Sequence, residues 1–469
     1  MEKINFAYSL KNIPTPDKTS YKLKFIDKIE AVIKRMRWKM FWINNNNETV
    51  SSTPVSAPET YGFKSKNTPP PCQELENFES NLLDLFDSIQ FRNTSDDFQK
   101  KLKHDISTIH KSDKVYVFAD KTTNIYSMPP DLHNKLLLEN VTKTYQKAPT
   151  LLEAGINHEA KQIASSYSVD NRAESLARSP AFITLKDHKD NFNQKHPCRL
   201  INPCKNELGA ISKSILDRVN STLRQKLKIN QWKNTSEVLE WFSSIKNKHS
   251  CSFVQLDIKE FYPSITKEIL DAAINFAKSH TTITDKETRT ILRCRKSLLF
   301  HKYETWKKKV NHECFDVTMG SFDGAEICEL VGIYIINKLS STVKKEEMGL
   351  YRDDGLIILR NYTKRTADIK RKEVIKIFKC IGFDIEIDIN LKTVDFLDVT
   401  LDLPSNTFRP YKKPNDQLQY VHTSSNHPAN ILKQLPISIN ERLTKNSSNS
   451  EIFDNAKPEY ERSFTQQWI

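Results

Sequence analysis

Glycine is the residue this sequence most lacks: 9 among 469 positions, roughly 2% where about 7% is usual. Such scarcity excludes collagen-like and glycine-rich repeat architectures and leaves no phosphate-cradling glycine loop. No apolar run reaches the ~18 residues of a membrane-spanning helix, and Met1-Glu2-Lys3-Ile4-Asn5 lacks the apolar core of a signal peptide. The expectation is an intracellular chain, not secreted, with no membrane partner. The eight cysteines are dispersed without a CxxC pair, so reduced thiols are expected. Cys198, Cys204, His188 and His196 are neighbours in sequence, but their spacing matches no structural zinc pattern. No Ser-His-Asp nucleophile stands out. Acidic residues are outnumbered, 58 against 71 Lys plus Arg, for a net charge of +13. That excess makes a polyanion such as nucleic acid the first partner to consider. Hydrophobic residues make up 38%, enough for sizeable cores. At roughly 150 residues per domain, the length suits about three domains or one multi-lobed enzyme.

Along the chain, residues 22–43 place Phe25, Ile26, Ile29, Val32, Ile33, Met36 and Met40 at helical spacing, with a basic opposite face. An amphipathic helix docked on a neighbouring lobe is expected. The polar Ser/Thr/Pro stretch over 44–71 reads as a flexible linker. From Cys72 to about Ser179 the pattern is mainly helical, with one β-like run at Val115-Tyr116-Val117-Phe118. Strands and helices alternate from Ala181, and the chain past Ser405 is polar, basic and loop-rich with weak helices. It stops without an obvious cap, as a fragment of a longer chain would.

Two acidic, strand-borne segments carry the chemistry. Ser252 to Leu256 is a short β-prone run ending on Asp257. Further on, Gly349-Leu350-Tyr351-Arg352-Asp353-Asp354-Gly355-Leu356-Ile357 sets Asp-Asp-Gly between apolar flanks, a hairpin-turn signal that places both aspartates at a tip. With the Asp257 strand alongside, carboxylates would converge at one sheet edge. Converging carboxylates repel unless protonated or bridged by a cation, and Mg²⁺ suits hard oxygen ligands while leaving room for phosphate. Two such ions, roughly 4 Å apart, would activate a primer 3′-hydroxyl and stabilise leaving pyrophosphate. Taken alone, Asp-Asp-Gly is an ordinary surface turn; its context lifts it above that.

LDIKEFYPSI followed by YRDDG resembles motifs A and C of the reverse transcriptase palm, and further segments follow in that family's order. Met319-Gly320-Ser321-Phe322-Asp323-Gly324-Ala325 with its apolar helix resembles motif B. Ile381-Gly382-Phe383 with Leu391-Lys392-Thr393 resembles motif D, and Phe396-Leu397-Asp398-Val399 resembles motif E. Phe182-Ile183-Thr184-Leu185-Lys186-Asp187-His188-Lys189 and Arg199-Leu200-Ile201 resemble the fingers segments. The resemblance spans roughly residues 115–443 and is closest to the Penelope-like retroelement type. Ala119-Asp120-Lys121 and the thumb signature Arg409-Pro410-Tyr411-Lys412-Lys413-Pro414, Ser425-Asn426-His427-Pro428 and Arg442 carry that subfamily likeness.

The resemblance implies an α+β right-hand fold: a helical N-terminal extension (1–43, linker 44–71, 72–180), fingers over 181–250, an antiparallel-sheet palm over 251–400 and a helical thumb with tail over 401–469. It implies Asp257, Asp353 and Asp354 as ligands of two Mg²⁺ ions, with Mn²⁺ as a substitute, and Lys392 as proton donor to pyrophosphate. Lys186, Arg199, Tyr262, Met319 and Gly320 would bind the nucleotide, Tyr262 lying under the sugar and rejecting a 2′-hydroxyl. Phe396, Leu397 and Asp398 would grip the primer. The partners implied are an RNA template, a DNA primer and deoxynucleoside triphosphates, and the location nuclear. The oligomeric state is open.

Two positions depart from the family pattern. Arg352 fills the variable position of YxDD, usually small or apolar, and Met319 replaces a polar residue at the start of motif B. The string Gly332-Ile333-Tyr334 lies within the motif B helix and reads as core packing, not as the GIY-YIG endonuclease of Penelope-like elements. Neither that domain nor an RNase H domain fits behind the thumb signature. A second reading is therefore kept: a catalytically silent, retroelement-derived protein that binds nucleic acid. A glycosidase-like carboxylate pair is a distant third.

Overall fold

The computed structural model describes residues 1–4, 18–46, 69–92, 97–122, 124–167, 179–205, 207–309, 314–413, 418, 420–421 and 427–468. The N-terminal amphipathic helix is one continuous element, α1 (Lys18–Asn46), docked on α2 (Gln73–Ser88). Phe25 stacks on Phe86 at 4.4 Å, and Lys22–Asp87 and Arg37–Glu79 ion pairs tie the two helices. Helix α1 runs past the expected linker start, and linker positions 47–68 lie outside the described residues, as do Pro414, Ser425 and Asn426.

The fingers begin earlier than residue 181. Strands β1 (Val115–Phe118) and β2 (Ile125–Met128) pair antiparallel, and Glu2–Ile4 adds a third strand beside β2. The hairpin β3 (Phe182–Leu185) and β4 (Cys198–Ile201) joins them through Ala119, which bridges Leu185. One apolar core holds Val117, Tyr126, Met128, Ile183 and Leu185 together with Leu299 and Trp306. A boundary at 180 would cut through that core, and Leu299 and Trp306, expected in the palm, belong to it. The physical reason is that a four-residue strand cannot bury its face alone; these distant strands must pool theirs.

The palm follows: helix α3 (Glu207–Leu227), short strand β5 (Asn230–Gln231), α4 (Thr235–Ser244), β6 (Cys251–Ile258), α5 (Lys267–Lys278), α6 (Gly324–Leu339), β7 (Met348–Tyr351), β8 (Asp354–Arg360), α7 (Lys364–Ile381) and β9 (Ile385–Leu391). The five-stranded sheet has the order β9-β6-β8-β7-β5, antiparallel except for β7 with β5. Alternation along β6 sorts its side chains onto two faces. Val254, Leu256 and Ile258 pack on one side against the core formed by the helices. Cys251 and Phe253 pack on the other, against Trp232, Trp241, Phe242 and Phe396. Burial on both faces is why Phe253 and Val254, adjacent in sequence and on opposite sides of the sheet, are both apolar. Each large side chain so buried contributes about 1.5–3 kcal/mol. Helix α6 buries ten of its sixteen residues, Gly332 and Ile333 among them, as the core reading of that string expected.

Helix α7 starts on a Thr363–Thr366 capping box and stops at Gly382, whose φ of +111° suits a residue without Cβ. Beyond the palm, β10 (Thr393–Phe396), β11 (Val399–Asp402) and β12 (Thr407–Pro410) form a separate antiparallel sheet. The C-terminal region expected to hold weak helices forms two sustained ones, α8 (Ala429–Lys445) and α9 (Ser450–Trp468), packed on each other. No helix among the described residues is long and apolar enough to cross a membrane.

Candidate active site

Strand pairing brings the acidic segments together. Asp257, one residue before the end of β6, lies directly opposite Asp354, the first residue of β8, and the Ile258 amide donates to the Asp353 carbonyl at 2.9 Å. Directly opposed residues share one face of the sheet, so Asp257 and Asp354 project together, with Asp353 beside them on the turn. The hairpin differs from the expected one. Tyr351 pairs with Asp354, which makes Arg352-Asp353 the two-residue turn, while Gly355 already lies within the strand. A two-residue hairpin loop requires positive φ in its first position when it is of the II′ kind, where glycine is preferred; here Arg352 holds φ at +56°. Strain of this sort collects at functional sites. The Arg352 guanidinium lies over the Tyr351 ring at 5.6 Å, and among the described residues it makes no ion pair with the aspartates.

The charges on these side chains are coupled. Burial, then the charges of Asp353 and Asp257, pushes the Asp354 carboxyl up to about 6. Burial and the Asp353 charge also raise Asp257, with Lys121 acting in the opposite direction. Their oxygens are the hard donors a divalent cation takes, and repulsion between them is what such a cation would relieve. As the side chains stand, no three His, Cys, Asp or Glu groups among the described residues are gathered round one ion position.

The aspartates floor a cleft of about 1390 Å³. Lys186, Arg199, Tyr262, Met319, Gly320, Leu397 and Asp398 all line it. Lys186 is half-buried, and that burial, with the Arg199 charge, lowers its pKa. Arg199 pairs with Asp120 at 3.0 Å. The fingers loop is pinned by buried Asp187, which accepts from Thr122 Oγ1 at 2.8 Å, Asn124 Nδ2 at 2.6 Å and Tyr126 OH at 3.0 Å. The Tyr262 ring packs against Gly324, and burial and the neighbouring Cys328 thiol raise its phenol pKa. Gly320 has φ of +119°, and a Cβ there would sit 2.5 Å from the Asn202 carbonyl oxygen. The Asn202 amide in turn donates to the Met319 carbonyl at 3.2 Å. Motif B's loop is thus tied to the fingers by backbone contact.

Two expected residues lie elsewhere. Lys392 is at the opposite end of β6 from Asp257: Leu391 pairs with Phe253, and Lys392 Nζ donates to the Cys251 carbonyl at 2.6 Å. The antiparallel register carries the motif D lysine away from the carboxylates, so it is no proton donor here. Phe396 is buried edge-on to Trp232 at 5.5 Å and does not reach the cleft. It anchors the Leu397-Asp398 turn, where Asp398 pairs with Arg442 at 3.2 Å and its carbonyl accepts from the Tyr411 amide.

Sequence reading assigned no role to Lys121 and Lys413, which line the same cleft; both lie in quoted signature segments, but nothing in either segment says that they meet. It also missed the fully buried Arg295–Asp323 ion pair at the N-terminus of α6, because an isolated Arg and Asp carry no signal of burial.

Among solved structures, the fold is similar to telomerase from Candida albicans in complex with the TWJ fragment of telomeric RNA. The TM-score is 0.54 at 9% identity, over 97% of this chain and 89% of that one. This is a right-hand polymerase fold. The five-stranded palm sheet and the fingers hairpin follow one another in the order expected of it. Looser matches include apo telomerase from Candida tropicalis (TM-score 0.47, 10% identity, 72% of this chain and 67% of that one). Another is the RNA-dependent RNA polymerase of a human picobirnavirus (0.42, 9%, 88% and 94%). No family model and no curated protein matches the chain.

Proposed function

We propose that the protein is an RNA-directed DNA polymerase of a Penelope-like retroelement, extending a DNA primer on an RNA template from deoxynucleoside triphosphates. The observation that carries this reading is the Asp257–Asp354 pairing, with Asp353 adjacent, at the floor of a lysine-lined cleft. Asp257, Asp353 and Asp354 would hold two Mg²⁺ ions. Bound there, the metal would lower the pKa of a primer hydroxyl and neutralise charge on the transferred phosphoryl group. The backbones are already set by pairing, so gathering the donors takes side-chain rotation. Lys186 and Arg199 would neutralise the triphosphate, electrostatic help that phosphoryl transfer relies on. Tyr262, with its ring against the start of α6, would exclude a 2′-hydroxyl. An element copied into a genome implies a nuclear site of action.

Primer extension on an RNA template with Mg²⁺, native chain against Asp353→Ala, tests the reading. Incorporation by the native chain and background in the variant is expected. A second reading, a silent nucleic-acid-binding protein, draws on the strained Arg352 turn and the ungathered carboxylates. It would be upheld by RNA binding without incorporation in either chain.

A further inference from the structure

The cleft holds a cationic pair drawn from opposite ends of the fold. Lys121 follows the Ala119–Leu185 bridge on the fingers side. Lys413 arrives from the opposite side, just past β12. Its segment is held by the Tyr411 amide on the Asp398 carbonyl, and by the Lys412–Glu459 ion pair to α9. Both lysines line the cleft, and after burial the charge of Lys121 is the largest influence lowering the Lys413 pKa. Among the described residues, neither is ion-paired to a carboxylate. Like charges brought together without a counter-charge call for an anion.

We propose that Lys121 and Lys413 together clamp the terminal phosphates of the incoming nucleoside triphosphate, with Lys189 beside them. The inference rests on the polymerase reading and adds to it a phosphate contact from the thumb side of the cleft. Position supports it: Lys121, Lys413, Asp120, Asp257 and Asp354 line one cleft, and the charge of Lys121 acts on both Asp257 and Asp354 while that of Lys413 acts on Asp354. A group lodged between a carboxylate-bound cation and these lysines must carry several negative charges. A terminal diphosphate does, while a backbone phosphate brings one. The fingers wall also carries buried polar atoms with no partner, His188 Nδ1, Thr184 Oγ1 and Arg199 Nε, all on cleft-lining residues. Burial and the positive field of Lys121, Lys413 and Lys189 hold His188 neutral, its pKa down to about 4. The same field would attract polyphosphate.

The test is calorimetric titration of the full chain with pyrophosphate in Mg²⁺, alongside primer–template binding, for the native protein, Lys121→Ala, Lys413→Ala and Lys413→Arg. Melting curves verify that each variant is folded. Each alanine variant is expected to weaken pyrophosphate binding about tenfold, the scale of one charge-assisted contact. Primer–template affinity should hold, and Lys413→Arg should recover most of the loss. That pattern upholds the clamp even if the native chain extends no primer, an outcome that would defeat the polymerase reading alone. Three results overturn the clamp: no pyrophosphate binding by the native chain, equal binding in the alanine variants, or a loss confined to primer–template.

Discussion

Asp354 shows how a single carboxyl links the cleft to pH. Its folded pKa of about 6 stands above the ordinary 3.8, so the metal-free folded protein holds this proton more tightly than the unfolded chain does. The charged form therefore destabilises the fold: the penalty is absent below about pH 4, grows through 6 and is complete above it. Asp354→Asn should stabilise the chelator-treated protein by about 1 kcal/mol at pH 7.5, a figure reduced for solvent screening. In urea melts the gap should close as pH falls from 6 to 4. A melt difference that widens on acidification would refute the assignment. Mg²⁺ and the proton compete for this carboxyl, so incorporation should fall on acidification, with a midpoint that moves lower as Mg²⁺ is raised. Lys392 makes the opposite case. Its bonds to the Cys251 and His249 carbonyls give it a role in joining strands. Lys392→Ala should lower stability by about 1 kcal/mol yet leave the nucleotide incorporation rate within twofold, which single-turnover extension would measure.

At the scale of elements, the motif B loop depends on two buried features. Gly320 combines positive φ with a carbonyl contact that leaves no space for Cβ. Gly320→Ala should displace the loop from Asn202 and raise the nucleotide KM more than tenfold; steady-state extension with unchanged KM would count against the loop's role. The Arg295–Asp323 pair fixes the start of α6. Asp323→Ala leaves a buried guanidinium unpaired and should cost about 3–5 kcal/mol, whereas the paired change to Met and Leu should recover most of it. A double-mutant cycle in urea reads both. These elements also mark what the sequence could and could not tell. The palm strands were legible because β6 is β-prone up to Asp257 and β8 opens on Asp354 before an apolar run. The turn was misplaced by two residues because Asp-Gly is the commoner turn centre; pairing of Tyr351 with Asp354 overrode that preference and left Arg352 at positive φ. The motif D lysine was placed by analogy, and only the antiparallel register of β9 on β6 shows that it lies remote from Asp257.

For the molecule as a whole, the fingers core was the least legible feature, since it is assembled from residues 115–201 and 299–306 and no local periodicity announces such long-range pooling. Its consequence is a cleft whose basic residues come from several separated segments, Lys121, Lys143, Lys186, Lys189, Lys195, Arg199, Lys233 and Lys413, on a chain of net charge +13. Charges distributed in this way act on a polyanion through counterion release, so affinity should depend on salt more steeply than on sequence. Engagement of about three phosphates by Lys143, Lys195 and Lys233, the cleft cations that the nucleotide does not claim, implies a loss of roughly tenfold or more in RNA affinity between 50 and 200 mM salt. Fluorescence anisotropy with two unrelated RNA oligomers should give parallel slopes of log affinity against log salt. Lys233→Ala, which removes one cation from the cleft wall without touching the carboxylates, should make both slopes shallower by about one phosphate equivalent. A flat salt dependence would mean that the strand does not lie in this cleft, and the carboxylate floor would then have no nucleic acid to act on.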